Sequence, residues 1–105
     1  MLRLPTNRRP TPPGELLQRE FIEPLGITQT ALARRLGVTT HRLNEIIHGR
    51  RAITPDTALR LERVLGMSAG FWLNAQLAVD LYDAMRSEKA KKIARLEPLP
   101  GLRSA

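Results

Sequence analysis

Four times along the chain, an apolar residue and then a threonine or serine precede a run with helical periodicity. The four pairs are Ile27-Thr28, Val38-Thr39, Ile53-Thr54 and Met67-Ser68. The hydroxyl of such a residue can accept a hydrogen bond from the free N–H groups of the first helical turn. The apolar residue before it has the spacing of a hydrophobic staple with the residue five positions on. The pattern predicts four capped helices joined by very short links.

Glycine and proline mark the limits of the same segments. Pro55 stands at the first helical position after the third cap, where a missing N–H costs no hydrogen bond. The positions just past the helical runs, where a left-handed residue is favoured, are Gly37, Gly49 and Gly66. A fifth segment, PGELLQREFI, comes first and is expected to stop before Pro24. The predicted helices cover residues 13–22, 28–36, 39–48, 54–65 and 68–86.

No segment alternates between apolar and polar residues as a strand does, so we expect an all-α fold. A length of 105 residues suits one domain with one modest core. Prolines cluster near both ends of the chain. We therefore expect a basic N-terminal tail over residues 1–11, a helical domain over residues 12–86, and a basic, flexible C-terminal tail over residues 87–105.

The chain has no cysteine, which excludes disulfides, thiol chemistry and cysteine-bound zinc. No apolar run approaches the roughly 18 residues of a membrane span. The N-terminal MLRLPTNRRP lacks the apolar stretch of a secretory signal. A soluble, cytoplasmic protein is the expectation.

The charge favours a polyanionic partner. Lys and Arg number 17 against 10 Asp and Glu, for a net charge of +7 and a pI near 11.3, and nucleic acid is the commonest such partner. Residues 28–51 hold five arginines and one glutamate, so the middle of the chain is a basic segment, and both ends of the chain are basic as well. A solvated basic surface or a basic tail is the alternative explanation of the charge alone.

Only Gly37-Val38-Thr39 joins the second and third predicted helices. A link this short forces the steep crossing of a helix-turn-helix motif. Gly37 can adopt the positive φ of such a turn, and Ala33 offers a small side chain where two helices approach closely. In this motif the second helix enters the major groove of double-stranded DNA.

The third predicted helix has one apolar face, formed by Leu43, Ile46 and Ile47. Its first turn and outer face carry candidates for contacts with base edges: Thr40, His41, Arg42, Asn44 and Glu45. Arg42 suits guanine and Asn44 suits adenine, whereas Glu45 either accepts from cytosine or is a solvated helix charge. Taken alone, the segment could also be an ordinary amphipathic surface helix.

The same motif has groups suited to DNA phosphates. The start of the second helix offers free N–H groups, and arginines follow the end of the third. The predicted phosphate-binding residues are Thr28, Gln29, Arg50 and Arg51. Arg34 and Arg35 either join them or only solvate the second helix.

Catalytic and metal chemistry are not indicated. His41, Glu45 and His48 share a helix face, but they spread over about 10 Å at 1.5 Å per residue, too far for one ion. No Gly-rich phosphate loop, Ser-His-Asp set or paired-carboxylate cleft is evident in the sequence. We expect no enzyme, no metal and no cofactor.

The last predicted helix, which contains FWLNAQLAVDLYDAM, has two apolar stripes. One can cover the core, and the other either completes the core or forms a dimer interface. The candidate interface residues are Leu73, Leu77, Ala78, Leu81, Tyr82 and Met85. A dimer suits DNA binding because two recognition helices about 34 Å apart match successive major grooves.

The segment from about residue 12 to 85 resembles the HigA group of antitoxins, within the lambda-repressor-like (XRE/Cro) helix-turn-helix family. The matching stretches are PGELL, EPLGITQ, LARRLGV, GRRAITPDTALRL and FWLNAQ. The last two are narrower and point to HigA specifically. The family usually has His where this chain has Pro12, which leaves the role of that position open.

The resemblance implies a five-helix fold and a homodimer on a palindromic operator. It also implies repression of the chain's own operon and neutralisation of a cognate HigB/RelE-like mRNA endonuclease toxin. Gln29 matches the family's phosphate-contacting glutamine, and Thr39 to Glu45 occupy its base-reading positions, which adds Thr39 to the candidates. The sequence leaves two alternatives open: a stand-alone XRE-family repressor without a toxin, and a protein-interaction module that does not bind DNA.

Overall fold

The computed structural model describes residues 8–101, which form six helices and, within that range, no strand. Helix α1 comprises α-helical Pro13–Leu17, π-helical Gln18–Ile22 and α-helical Glu23–Leu25. The others are α2 (Gln29–Leu36), α3 (Thr40–Ile47), α4 (Pro55–Leu65), α5 (Ala69–Met85) and α6 (Glu88–Ile93). The all-α prediction is confirmed, whereas residues 1–7 and 102–105 of the two expected tails lie outside the described residues.

All four predicted helix caps are formed. The side-chain oxygens of Thr28, Thr39, Thr54 and Ser68 accept from the backbone N–H three residues on, at 3.0, 3.0, 3.4 and 3.0 Å. The apolar residues that precede the caps also pack as predicted: Ile53 is buried in the core, and the other three lie partly buried against it. Each cap fixes the residue at which its helix begins, so the links between helices stay short.

Helix α1 continues past Pro24, and the predicted stop at residue 22 was wrong. The N–H of Glu23 donates to the carbonyl of Gln18, five residues back, which closes a π turn just before the proline. The wider turn shifts the hydrogen-bond register, so the helix tolerates the missing N–H of Pro24. It ends instead at Gly26, whose φ is 64°.

Trp72 lies at the centre of the core with no exposed surface. Its ring packs edge-on against Phe71, with centroids 5.1 Å apart, and lies tilted by 49° against the ring of Phe21 in α1, with centroids 5.6 Å apart. The other large, fully buried side chains come from α1 to α4: Leu17, Leu32, Leu43, Ile46 and Leu61. Helices α1 to α5 thus share one core, against which the apolar face of α3 packs.

Both expected tails have ordered parts among the described residues. The Arg9 guanidinium donates to both carboxylate oxygens of Asp83, at 2.9 Å each, and lowers the pKa of that carboxyl below its ordinary value. This ion pair ties the N-terminal segment to the end of α5. Beyond α5, the Ser87 hydroxyl donates to the carbonyl of Ala84 at 2.7 Å, and α6 follows. No helix within residues 8–101 is long and apolar enough to cross a membrane.

Gly14 marks a close approach between α1 and α3. A Cβ at this position would overlap the carbonyl oxygen of Ile46 and lie 2.8 Å from the Cα of Ile47. Both of those neighbours are backbone atoms near the end of α3, so they cannot move aside as a flexible side chain could. The missing side chain therefore lets α1 pack directly against the backbone of α3.

Gly14→Ala is expected to lower the free energy of unfolding by about 1–3 kcal/mol, the usual cost of overpacking, although alanine favours helices. Gly70→Ala is the matched control, because its Cβ would meet only the Ser68 Oγ, at 3.9 Å. We expect the control to stabilise the protein by about 0.5–1 kcal/mol. Denaturant unfolding measures both, and effects of the same sign would contradict the close packing of α1 on α3.

Candidate nucleic-acid interface

A tight turn joins α2 to α3, as the sequence predicts. Gly37, with a φ of 73°, donates its N–H to the carbonyl of Arg34 at 3.2 Å. The N–H of Val38 donates to the carbonyl of Ala33 at 3.0 Å, which completes a Schellman motif. Thr39 follows at once and caps α3. The end of one helix and the start of the next are thereby fixed within three residues.

The two faces of α3 differ as predicted. Leu43 and Ile46 are 1% and 2% exposed, and Ile47 is partly buried against the same core. In the first turn, Thr40 is exposed and the His41 side chain is 82% exposed. The apolar face therefore holds the helix on the domain, while the first turn presents polar groups outward.

Asn44 contacts the start of α2. Its Nδ2 donates to the Oε1 of Gln29 at 3.1 Å, and both residues are partly buried. The amide N–H₂ of Gln29 remains able to donate and the amide oxygen of Asn44 remains able to accept. The sequence predicts a phosphate contact for Gln29 and a base contact for Asn44. The structure joins them in one pair that links the two helices of the motif.

Glu45 is neither a free solvated charge nor an unpaired acceptor. Its Oε1 accepts from the Nε and Nη2 of Arg51, at 3.0 and 2.7 Å, and its Oε2 lies 3.5 Å from the Nε2 of His41. The hydrogen bond from Arg51 is the main cause that lowers the pKa of the Glu45 carboxyl. Glu45 therefore holds the Arg51 guanidinium beside α3.

The end of α3 explains why Arg51 returns to it. Gly49, with a φ of 73°, donates to the carbonyl of Ile46 at 3.1 Å, and the Arg50 N–H donates to the carbonyl of Glu45 at 2.8 Å. This second Schellman motif folds the chain back over the last turn. The exposed side chain of Arg50 and the guanidinium of Arg51 consequently lie together at the end of α3.

Arg42 departs from its expected place at a guanine edge. Its Nη2 donates to the Oδ2 of Asp56 at 3.0 Å and to the Oγ1 of Thr57 at 2.6 Å, and its side chain is only 28% exposed. Position 42 lies at the flank of α3 that faces the first turn of α4, where Asp56 attracts the guanidinium. Helical periodicity does not show which neighbouring helix lies against that flank, so the sequence pattern does not indicate Asp56 as the partner of Arg42.

The two capping threonines are each left with a hydroxyl hydrogen that can still be donated. The Oγ1 atoms of Thr28 and Thr39 accept from the N–H groups of Ala31 and Arg42. Each hydroxyl still has a hydrogen to donate, and both residues are exposed. Arg34 and Arg35 are also exposed on α2.

None of the candidate interface residues of α5 is fully buried. Trp72 and Val79 face the core, whereas Leu77 and Met85 are 45% and 52% exposed. The remaining candidates are partly buried: Leu73, Ala78, Leu81 and Tyr82. One apolar stripe therefore stays at the surface of the protomer.

The turn between α2 and α3, the outward polar turn of α3 and the arginines at its end define a helix-turn-helix protein of the DNA-binding class. The helix-turn-helix family model matches residues 18–72, slightly more than half of the chain. The chain belongs to this family.

Similar proteins show to which group within this family the chain belongs. Antitoxin HigA-1 of Vibrio cholerae is 43% identical over 93 residues, which cover 87% of this chain and 88% of that protein. The Pseudomonas aeruginosa antitoxin HigA, solved with the higBA promoter, is 38% identical with a TM-score of 0.79, covering 87% of this chain and 99% of that one. Antitoxin GraA, solved in complex with its operator, is 39% identical with a TM-score of 0.80, covering 92% and 98%. The chain is thus a member of the HigA group of antitoxins.

Glu45→Gln is expected to lower the melting temperature at neutral pH. The pKa of Glu45 is lower in the folded than in the unfolded protein, so the carboxylate stabilises the fold above its unfolded pKa. This contribution is lost as the pH falls through the folded pKa. The difference from the parent protein should therefore shrink in acid.

Thermal unfolding followed by circular dichroism between neutral and acidic pH measures this difference. Glu20→Gln, which removes the same charge from an exposed site on α1, is the control. A melting-temperature difference for Glu45→Gln that stayed constant across the whole range would contradict the paired carboxylate.

Proposed function

We propose that this protein is a sequence-specific DNA-binding antitoxin that represses its own operon as a dimer and neutralises a cognate mRNA-endonuclease toxin. The observation that carries the proposal is α3, which is capped by Thr39, held by buried Leu43 and Ile46, and exposed at its first turn. The operator and promoter complexes of GraA and of the Pseudomonas aeruginosa HigA support the DNA-binding part.

The base contacts come from the outward part of α3. Thr39, Thr40 and His41 form the turn that a recognition helix inserts first. Asn44 keeps an acceptor oxygen, and Glu45 keeps acceptor capacity beside Arg51. We assign Arg42 to the scaffold because its guanidinium is engaged with α4. The sequence of the operator depends on these side chains and their neighbours.

The phosphate contacts flank the base contacts on both sides. Thr28 and Gln29 begin α2, where free N–H groups and the helix dipole favour an anion. Arg50 and Arg51 lie at the end of α3, where their positive charges suit the DNA backbone. In this arrangement, contacts with the DNA backbone lie on both sides of the segment that contacts the bases.

The remaining apolar stripe of α5 is proposed as the dimer interface. Leu77 and Met85 are its most exposed members, and they continue the partly buried Leu73, Leu81 and Tyr82 on the same helix. Two copies joined through α5 would present two α3 helices to a palindromic operator.

The toxin part of the proposal rests on membership in the HigA group. Neutralisation and repression both act by binding, so the protein needs no catalytic site of its own. It acts in the cytoplasm, where the operon DNA and a ribosome-dependent toxin are found. A small basic toxin encoded in the same operon is the expected protein partner.

One titration tests the DNA-binding part. The full-length protein is mixed with a labelled fragment of its own promoter and with a scrambled fragment of equal length, at fixed salt. We expect preference for the promoter, and loss of that preference in the double variant His41→Ala/Asn44→Ala. Equal affinity of the parent protein for both fragments would contradict operator recognition. Growth rescue by co-expression with the neighbouring toxin gene tests the antitoxin part.

Arg50→Ala is expected to weaken binding to the promoter and to the scrambled fragment alike. The magnitude of the slope of log affinity against log salt concentration should decrease by about 0.9, because one phosphate contact is lost. Fluorescence anisotropy at several salt concentrations measures the slope. Lys89→Ala, which removes the same charge from α6, is the control and should leave the slope unchanged. A changed sequence preference with an unchanged salt dependence would contradict the phosphate role of Arg50.

Leu77→Glu is expected to convert the dimer into a folded monomer, since the side chain is 45% exposed in the protomer. Leu59→Glu is the matched control, because Leu59 is 58% exposed on α4, outside the proposed interface. Sedimentation velocity gives the oligomeric state and circular dichroism checks the fold. A Leu77→Glu protein that stays a folded dimer would remove this part of α5 from the interface.

A further inference from the structure

Three charged side chains meet where α2, α3 and α4 come together. Asp56, in the first turn of α4, accepts hydrogen bonds through its Oδ2 from the Nη2 of Arg42 at 3.0 Å and from the Nε of Arg60 at 2.9 Å. We call Arg42, Asp56 and Arg60 the Asp56 cluster. Asp56 and Arg60 are not among the residues predicted from the sequence, although their spacing of four residues suits an ion pair on one helix.

Arg60 connects the cluster to the end of α2. Its Nη1 donates to the carbonyl of Leu36 at 2.9 Å and to the carbonyl of Gly37 at 3.3 Å. These carbonyls lie at the C-terminal end of α2, where the helix dipole favours a positive charge. Arg60 therefore fastens the turn of the helix-turn-helix motif to α4.

Arg42 connects the cluster to the start of α3. Besides Asp56, it donates to the Oγ1 of Thr57, a residue that is 3% exposed. Thr57 also donates its N–H to the cap of α4, the Oγ1 of Thr54, at 3.4 Å. The guanidinium of Arg42 is thus anchored on a buried and fixed turn, and through it the first turn of α3 is fastened to α4.

We propose that Asp56 is a positioning residue for operator recognition, because its single carboxylate holds Arg42 and Arg60 together and so fixes the first turn of α3 relative to α2. This inference rests on the proposed operator binding. Without the carboxylate, two guanidinium groups would face each other with no counter-charge. The exposed turn with Thr40 and His41 would then lose its fixed place at the base edges.

Electrostatics alone predicts the opposite effect of removing Asp56. A negative charge near DNA repels phosphates, so its neutralisation should strengthen binding to every sequence. Glu20→Gln, at an exposed site on α1, removes the same charge without touching the cluster. The sign of the effect of Asp56→Asn on operator affinity therefore distinguishes positioning from simple charge repulsion.

The affinity of full-length variants for promoter and scrambled fragments tests the proposal. We expect Asp56→Asn to weaken promoter binding about tenfold, the scale of one lost base contact, while affinity for scrambled DNA stays equal or rises. Arg60→Gln should act in the same direction, and Asp56→Glu, which keeps the charge, should restore part of the promoter preference. Glu20→Gln should not reduce that preference. Promoter preference that is unchanged in Asp56→Asn would overturn the proposal, even if the variant were less stable.

A measurement without DNA separates this inference from the proposed function. The chain has no cysteine, so spin labels can be placed specifically by Arg34→Cys on α2 and His48→Cys at the end of α3. Pulsed electron paramagnetic resonance should give a narrow distance distribution for the labelled parent and for Glu20→Gln, and a broader one for Asp56→Asn. Equal widths in all three would overturn the positioning role. A broadened Asp56→Asn distribution in a protein that binds no promoter would refute the proposed function alone.

Discussion

The hydrogen bond from the Arg42 N–H to the Thr39 side chain fixes the residue at which α3 begins. Only three residues separate α3 from the end of α2, and the Schellman motif at Gly37 fixes that end as well. These local hydrogen bonds therefore set where α3 starts, but they leave its seating against α4 to the tertiary contacts. The buried face of α3 and the Asp56 cluster then act on a helix whose start is already set.

Local chemistry explains why so much of the fold could be predicted. Caps, staples and left-handed glycines depend on residues within one turn of each other, so all four caps and the amphipathic α3 were foreseen. The π turn before Pro24 depends on a change of register that periodicity does not show. The tertiary partners of Arg42 and Glu45 depend on which helix lies opposite them and on how the chain folds back after Gly49. For the candidate site, the sequence therefore predicted the exposed first turn of α3 but not the pairing of the charges beside it.

The acidic residues near the proposed DNA interface mainly hold arginine side chains in position. Glu45 orients Arg51 beside α3, and Asp56 orients Arg42 and Arg60 behind it. In both cases an arginine beside the acid lowers the pKa of the carboxyl, so these acids remain charged at neutral pH. A basic protein that binds DNA thus keeps a few acids where they set the direction of its cations, and the net charge of the region remains positive.

The first turn of α3 lies outside the core: His41 is 82% exposed and Thr40 is exposed beside it. In the proposed DNA complex, substitutions at these two positions would change the groups that α3 presents to a base pair without removing a core contact, so they should cost little stability. Substitutions in the supporting structure, such as the cap at Thr39 or the close contact at Gly14, would instead lower the stability of the fold. Descendants of one ancestral chain can therefore acquire different operators while keeping the same fold, and paralogous copies in one genome can diverge without binding each other's promoters.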